Sequence, residues 1–297
     1  MPSLQNDSLS IEVAERGAEL RSLRTQDGAE WLWQGDPAWW TGRSPLLFPV
    51  VGKSPADQVS IEGKPYPMKP HGFARTLDFT VAGKSQTQVD LVLKANEMTR
   101  ASYPFEFELV MSYKLDGPSL WIGAMLYNRD TRPMPTQFGF HPAFNWPLPG
   151  AGRATHAVVL EDGNPSACYR LDADKLLMRT TEPTPFVDGK MIPSREMFDA
   201  DAMIFLDGVG NRMRFEGGGS SIDILAQNLP QLGIWQKPGA PYLCIEPWQG
   251  AAPFTDTGDA LETRNGAITL SPRASARFAM QITPRLSTSS VSKMSKD

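Results

Sequence analysis

Polar and hydrophobic residues alternate along most of this chain. In QVDLVLKA (88–95) Val89, Leu91 and Leu93 fall on one face, and in FEFELVMSYKL (105–115) Phe105, Phe107, Leu109, Met111 and Tyr113 do the same. A period of two is the signature of a half-buried β-strand. LWIGAMLYN (120–128) follows across Asp116-Gly117-Pro118-Ser119, which reads as the turn of an antiparallel hairpin. Further hairpins are predicted at 10–25, turning near Gly17, and at 57–68, turning near Gly63. Segments 221–228, 240–248 and 267–283 continue the pattern, and Gly217-Gly218-Gly219 reads as a turn between strands. The total is about a dozen or more short strands, which predicts a sandwich or barrel. Helix candidates are confined to 194–202, with a turn at Asp36-Pro37-Ala38-Trp39.

The 26 prolines and 25 glycines are scattered rather than clustered, so they mark turns and not a linker. The expectation is one all-β, mostly antiparallel domain over 1–284, followed by a Ser/Lys-rich flexible tail at 285–297. Lys+Arg number 29 against 33 Asp+Glu, a net charge of −4, which gives no footprint for nucleic acid. No apolar run approaches the roughly 18–20 residues of a membrane helix. The first residues lack a basic stretch followed by an apolar one, so a cytoplasmic location is expected. Two cysteines exclude a disulfide framework and a Cys-rich metal site. There is no G-x-S-x-G and no P-loop, and Gly208-Val-Gly210 lacks the rest of a dinucleotide fingerprint.

Three histidines are present, His71, His141 and His156, and a histidine alone is more often structural than catalytic. Two contexts raise the interest. His141 precedes Pro142 and Glu246 precedes Pro247. A residue before proline is held extended, and proline supplies no ladder hydrogen bond, so each group is expected at an interrupted strand. Glu246 lies between the apolar run Tyr242–Ile245 and Trp248. A carboxyl desolvated there has a raised pKa and suits a general base; the alternative is a Glu that merely pairs with an Arg. Among the tryptophans, Trp235 and Trp248 are the better pocket candidates, and Cys244 reads as a buried structural thiol.

Taken together, GRSPLLFPVVGK (42–53), KPHGFAR (69–75), FGFHPAFNWP (138–147), LGIWQKP (232–238) and YLCIEPWQG (242–250) resemble the aldose 1-epimerase (galactose mutarotase) superfamily, most of all its LacX-like branch. The likeness extends over about residues 8–284. It implies a galactose-mutarotase-like β-supersandwich with one open sugar cleft. It implies Glu246 as general base, His141 as general acid and His71 as a residue that holds the sugar. Arg75, and Arg43 or Lys53, are implied as sugar-contacting cations, and Asp201 as a ligand of sugar hydroxyls, with Asp199 two residues away. The implied activity is interconversion of the α and β anomers of a free monosaccharide, with no metal and no organic cofactor. Ala251-Ala252-Pro253 follows Gly250 where that branch leads one to expect an Asp sooner. Three rivals stand beside this reading: a hexose-6-phosphate epimerase using Arg43, Lys53 and Arg75, a non-catalytic sugar-binding module, and a metalloenzyme holding zinc on His71, His141 and Glu246.

Overall fold

The computed structural model describes residues 1–286. The hairpin expected at the centre of the chain is present as strands Phe107–Asp116 and Ser119–Asn128, joined at Gly117. Phe107, Leu109, Met111, Tyr113 and Leu115 are buried while their neighbours stay accessible, as alternation requires. This hairpin belongs to a nine-stranded sheet that also holds Gln88–Lys94, Ser220–Gln227 and Ser275–Arg285, and all its ladders are antiparallel. The hairpins at 10–25 and 57–68 appear as Leu9–Val13 with Leu20–Thr25, and as Gln58–Ile61 with Lys64–Pro67.

A second, eight-stranded antiparallel sheet contains Ala167–Leu171, Met203–Phe205, Gln231–Trp235, Tyr242–Gln249, Phe138–Phe140 and Ala143–Asn145. The two sheets share one core, and Phe138 of the second stacks on Phe278 of the first at 4.9 Å. Strand Tyr242–Gln249 is buried at seven consecutive positions. Leu243 and Ile245 point into the shared core, so Cys244, Glu246 and Trp248 project from the opposite face. The same division holds for Leu232 and Ile234 against Trp235, and for Phe138 and Phe140 against His141.

Three expectations are revised. The run 267–283 is two strands, Ile268–Leu270 and Ser275–Arg285, separated by a turn at Pro272 with Arg273 at φ +63°. The helix candidate at 194–202 is a single 3-10 turn, Arg195–Phe198. The last strand runs through Arg285 and Leu286 rests on the core, so these two residues belong to the fold, whereas the rest of the expected tail, 287–297, lies outside the described residues.

The prolines behave unequally. His141-Pro142 does interrupt a strand, falling between Phe138–Phe140 and Ala143–Asn145. Pro247 does not, because Tyr242–Gln249 passes through it. The Ile245 N–H donates to the Pro142 carbonyl at 3.3 Å, so the nitrogen of Pro247, two residues on, faces the same edge, where the neighbouring strand is broken. The missing donor of one proline therefore meets the gap made by the other.

Trp248 needs bare backbone beneath it. A β-carbon on Gly233 would lie 2.2 Å from the Trp248 ring, and one on Gly139 would lie 2.5 Å from it. Gly233→Ala is expected to displace the indole and cost about 1–3 kcal/mol, read as a lower denaturant midpoint with an unchanged m-value.

Candidate active site

The outer face of the eight-stranded sheet forms the floor of a cleft of ≈ 270 Å³. That is just under the ~300–1,000 Å³ typical of small-molecule sites. Of the eight residues singled out in the sequence, Glu246, His141, His71, Arg75, Lys53, Asp201 and Trp235 line it. Arg43 does not. Its Nη1 donates to the Arg21 carbonyl at 2.6 Å and to Gln34 Oε1 at 2.8 Å, tying the N-terminal strands to the loop at 34. Basic character and nearness to the 46–51 segment did not place it in the cleft.

His141 Nε2 and Glu246 Oε2 are 3.2 Å apart, with side chains 9% and 2% exposed. Register explains the meeting: Glu246 sits opposite Gly233 on one side, and on the other the strand break swings His141 over the floor. Burial pushes the Glu246 carboxyl well above its ordinary range; Asp201 adds to the rise, and the adjacent Trp248 indole pulls weakly the other way. Burial pushes His141 down to about 3, with Arg75 adding to the fall. Both directions follow from the cost of charge away from water. The result is a pair that holds one proton. His141 Nδ1 and Glu246 Oε2 are buried without an aligned hydrogen bond. Buried polar atoms left open in a cleft wall are what a polar ligand satisfies.

The opposite wall is the segment Val51–Lys53 with His71. The Gly52 N–H donates to His71 Nδ1 at 3.2 Å, and the His71 N–H donates to the Gly52 carbonyl at 2.9 Å. Nδ1 is thereby an acceptor, which leaves the proton on Nε2. Burial holds His71 well below its ordinary pKa, reinforced by His141 and Arg75. His71 has φ +63°, and Gly72 beside it has φ +70° with the Phe48 carbonyl oxygen 2.1 Å from where a β-carbon would be. Only glycine fits there, which gives the HG dipeptide a mechanical reason.

Two residues that sequence reasoning missed hold this wall. Gln137 accepts from the Val51 N–H at 2.9 Å and donates to the carbonyls of Ala251 and Asn265 at 2.9 and 2.7 Å. Arg264, buried and with no carboxylate partner among the described residues, donates to Ser54 Oγ at 2.6 Å and to the carbonyls of Val51 and Lys53 at 2.8 and 3.2 Å. The loop after Gly250 supplies no acid here: Ala251 and Ala252 are buried, Ala252 lining the cleft against Gly52.

At the rim, Asp201 accepts from Lys175 Nζ at 2.7 Å and from the Ala202 N–H at 2.8 Å, while Asp199 is exposed and outside the lining. Lys175 is a cleft residue that no motif announced. Trp40 lies 5.0 Å from the His141 ring and 5.4 Å from Trp235, so aromatic faces wall the histidine. His156 is elsewhere: its ring accepts from the Leu148 N–H at 3.0 Å and contacts the Ala154 carbonyl at 2.8 Å, a structural role. Among the described residues, the donor atoms that converge closely enough for a metal are those of His141, Cys244 and Glu246; His71 is not in that set.

The family profile described as aldose 1-epimerase matches residues 2–283. The chain is 28% identical to the protein LacX of Lactococcus lactis subsp. lactis, over 94% of this chain and 98% of that protein. A crystal structure of a galactose mutarotase-like protein from Lactobacillus casei superposes with a TM-score of 0.90 at 30% identity, covering 96% of this chain and all of that one. A galactose mutarotase related enzyme from Lactobacillus acidophilus gives a TM-score of 0.88 at 28% identity, covering 97% and 98%.

The one-proton pair leaves a mark on stability. With ordinary values of 4.5 for Glu and 6.5 for His, the unfolded chain carries two protons on these groups below 4.5, one between, and none above 6.5. In the fold Glu246, raised above 4.5, keeps its proton in acid, while His141 takes one only near 3. Acid between 4.5 and 3 therefore favours unfolding, by about 1.4 kcal/mol per pH unit at full effect. Denaturant unfolding at pH 5.5 and 4 is expected to show this loss, and a Glu246→Gln/His141→Asn double variant is expected not to show it.

Proposed function

Because the chain belongs to the aldose 1-epimerase family, in its LacX-like branch, we propose that it interconverts the α and β anomers of a free aldohexose by opening and reclosing the pyranose ring. The observation that carries this reading is the buried His141–Glu246 contact at 3.2 Å on the floor of a sugar-sized cleft. Ring opening removes a proton from the anomeric hydroxyl and delivers one to the ring oxygen. Both oxygens are bonded to the same carbon, so the groups that serve them must be neighbours. In the arrangement of the pair whose single proton sits on His141, Glu246 takes the first proton and His141 gives the second. The C1–C2 bond then turns, and reclosure on the other face runs the two transfers backwards. The pair begins and ends with one proton, so no exchange with bulk water is needed during the cycle. His71, with its proton on Nε2, donates to the sugar; Asp201 accepts from its hydroxyls, and Trp235 packs against the apolar face of the ring. Each general acid or base step contributes about 10²–10⁴-fold, or roughly 3–5 kcal/mol.

A second reading, a hexose 6-phosphate as substrate, is favoured by one feature. Lys53 lines the cleft with no hydrogen-bond or ion-pair partner for its ammonium among the described residues, and the Arg75 guanidinium is bonded only to the Pro70 carbonyl, at 2.7 Å. Cations without carboxylates suit an anionic substituent.

Polarimetry on freshly dissolved α-glucose and α-galactose tests the chemistry. Glu246→Gln and His141→Asn are each expected to lower kcat by about 10²–10⁴-fold with the fold intact. Near-wild-type turnover in either variant removes that residue from the reaction, and sugar binding without acceleration leaves a binding module. The substrate readings separate by competition: glucose 6-phosphate inhibiting much more strongly than glucose, with the advantage lost in Lys53→Met, selects the phosphorylated sugar.

A further inference from the structure

Cys244 stands two residues before Glu246 on one strand, so both side chains leave the same face of the sheet, and His141 reaches over from the broken neighbouring strand. The Cys244 sulfur, an imidazole nitrogen of His141 and a carboxylate oxygen of Glu246 all lie within 4.8 Å of one another, and all three residues are buried. The thiol alone is not the argument. Glu246 Oε2, buried and 3.2 Å from His141 Nε2, makes no aligned hydrogen bond, and two of the three residues line the cleft. We propose that Cys244, His141 and Glu246 form a binding site for one borderline-soft divalent cation of the Zn²⁺ class, which occupies the place of the hemiacetal and so arrests the enzyme.

The chemistry of the donors selects the ion. Thiolate, imidazole and carboxylate are the three ligand types of zinc, and bonds of about 2.0–2.3 Å put tetrahedral ligand atoms roughly 3.3–3.7 Å apart. His141 Nε2 and Glu246 Oε2 already stand at 3.2 Å, so side-chain shifts of about an ångström or less close the set. His141 and Glu246 line the cleft, so a fourth ligand, a water or a sugar oxygen, would reach the ion from that side. A thiolate and a carboxylate neutralise the dication, which removes the penalty of a net charge away from water. Mg²⁺ and Ca²⁺ find too few oxygens here. The arrest rests on the acid–base reading above; the binding does not.

Cobalt(II) alone is the probe, added to the intact chain. The expected result is visible d–d bands of a tetrahedral ion with a thiolate-to-cobalt absorption in the near ultraviolet. The chain has only two thiols, Cys168 and Cys244, so the bands are expected to survive in Cys168→Ala and vanish in Cys244→Ala. Cys244→Ser, closer in size, gives the same test if the alanine variant folds poorly. Zn²⁺ is expected to displace the cobalt and to slow mutarotation competitively with sugar, at least tenfold less in Cys244→Ala, with Mg²⁺ inert and EDTA restoring the rate. Absence of the thiolate band, or a band that follows Cys168, overturns the site; so does equal zinc inhibition of wild type and Cys244→Ala. Cys244-dependent bands in a chain with no mutarotase activity support the site and overturn only the acid–base reading.

Discussion

One carboxyl and one imidazole, 3.2 Å apart and nearly sealed from water, constrain most of what surrounds them. Charge is expensive at that depth, so burial drives each group toward neutrality, which leaves the pair with one proton. Holding them together takes a break in one strand next to an unbroken one. The break at His141-Pro142 frees the histidine to cross the floor, while the passage of Tyr242–Gln249 through Pro247 keeps the glutamate in fixed register. Bare backbone at Gly139 and Gly233 lets Trp248 lie flat beside the pair.

The facing wall is built by long-range hydrogen bonds rather than by a sheet. Gln137 joins Val51 to Ala251 and Asn265, and Arg264 collects Ser54, Val51 and Lys53. These two side chains connect segments more than 80 residues apart in sequence. Their effect is to fix Gly52, which in turn sets the tautomer of His71. Strain at His71, a non-glycine at φ +63°, is held by that same pair of bonds to Gly52 and lies in the wall of the cleft.

Alternation made the fold readable. The strands at 88–95, 105–115 and 120–128 expose one face, so their period of two is visible in the residues alone, and the turns at Gly17, Gly63 and Gly117 follow. The cleft strands are harder, because Tyr242–Gln249 is buried on both faces and its apolar run conceals which side carries chemistry. Glu246, His141 and His71 were nonetheless legible, since each stands in a local motif. Arg264, Gln137, Lys175 and Trp40 were not: each joins the site only through contacts made by distant parts of the chain, and no local spacing marks them. Arg43 shows the converse, a cation placed by its neighbours in sequence and claimed instead by Arg21 and Gln34. Pro247 was expected to break its strand because its own missing donor was visible, whereas the complementary gap in the next strand was not.

The most direct test of the shared-proton pair is a ¹⁵N NMR titration of the imidazole nitrogens between pH 4 and 8. With three histidines in the chain, His141 is assigned by its disappearance in His141→Asn. Its resonances are predicted to show no titration step near 6.5, because burial holds the imidazole down to about 3. A full step near 6.5, the behaviour of an unpaired and solvated imidazole, would contradict the account.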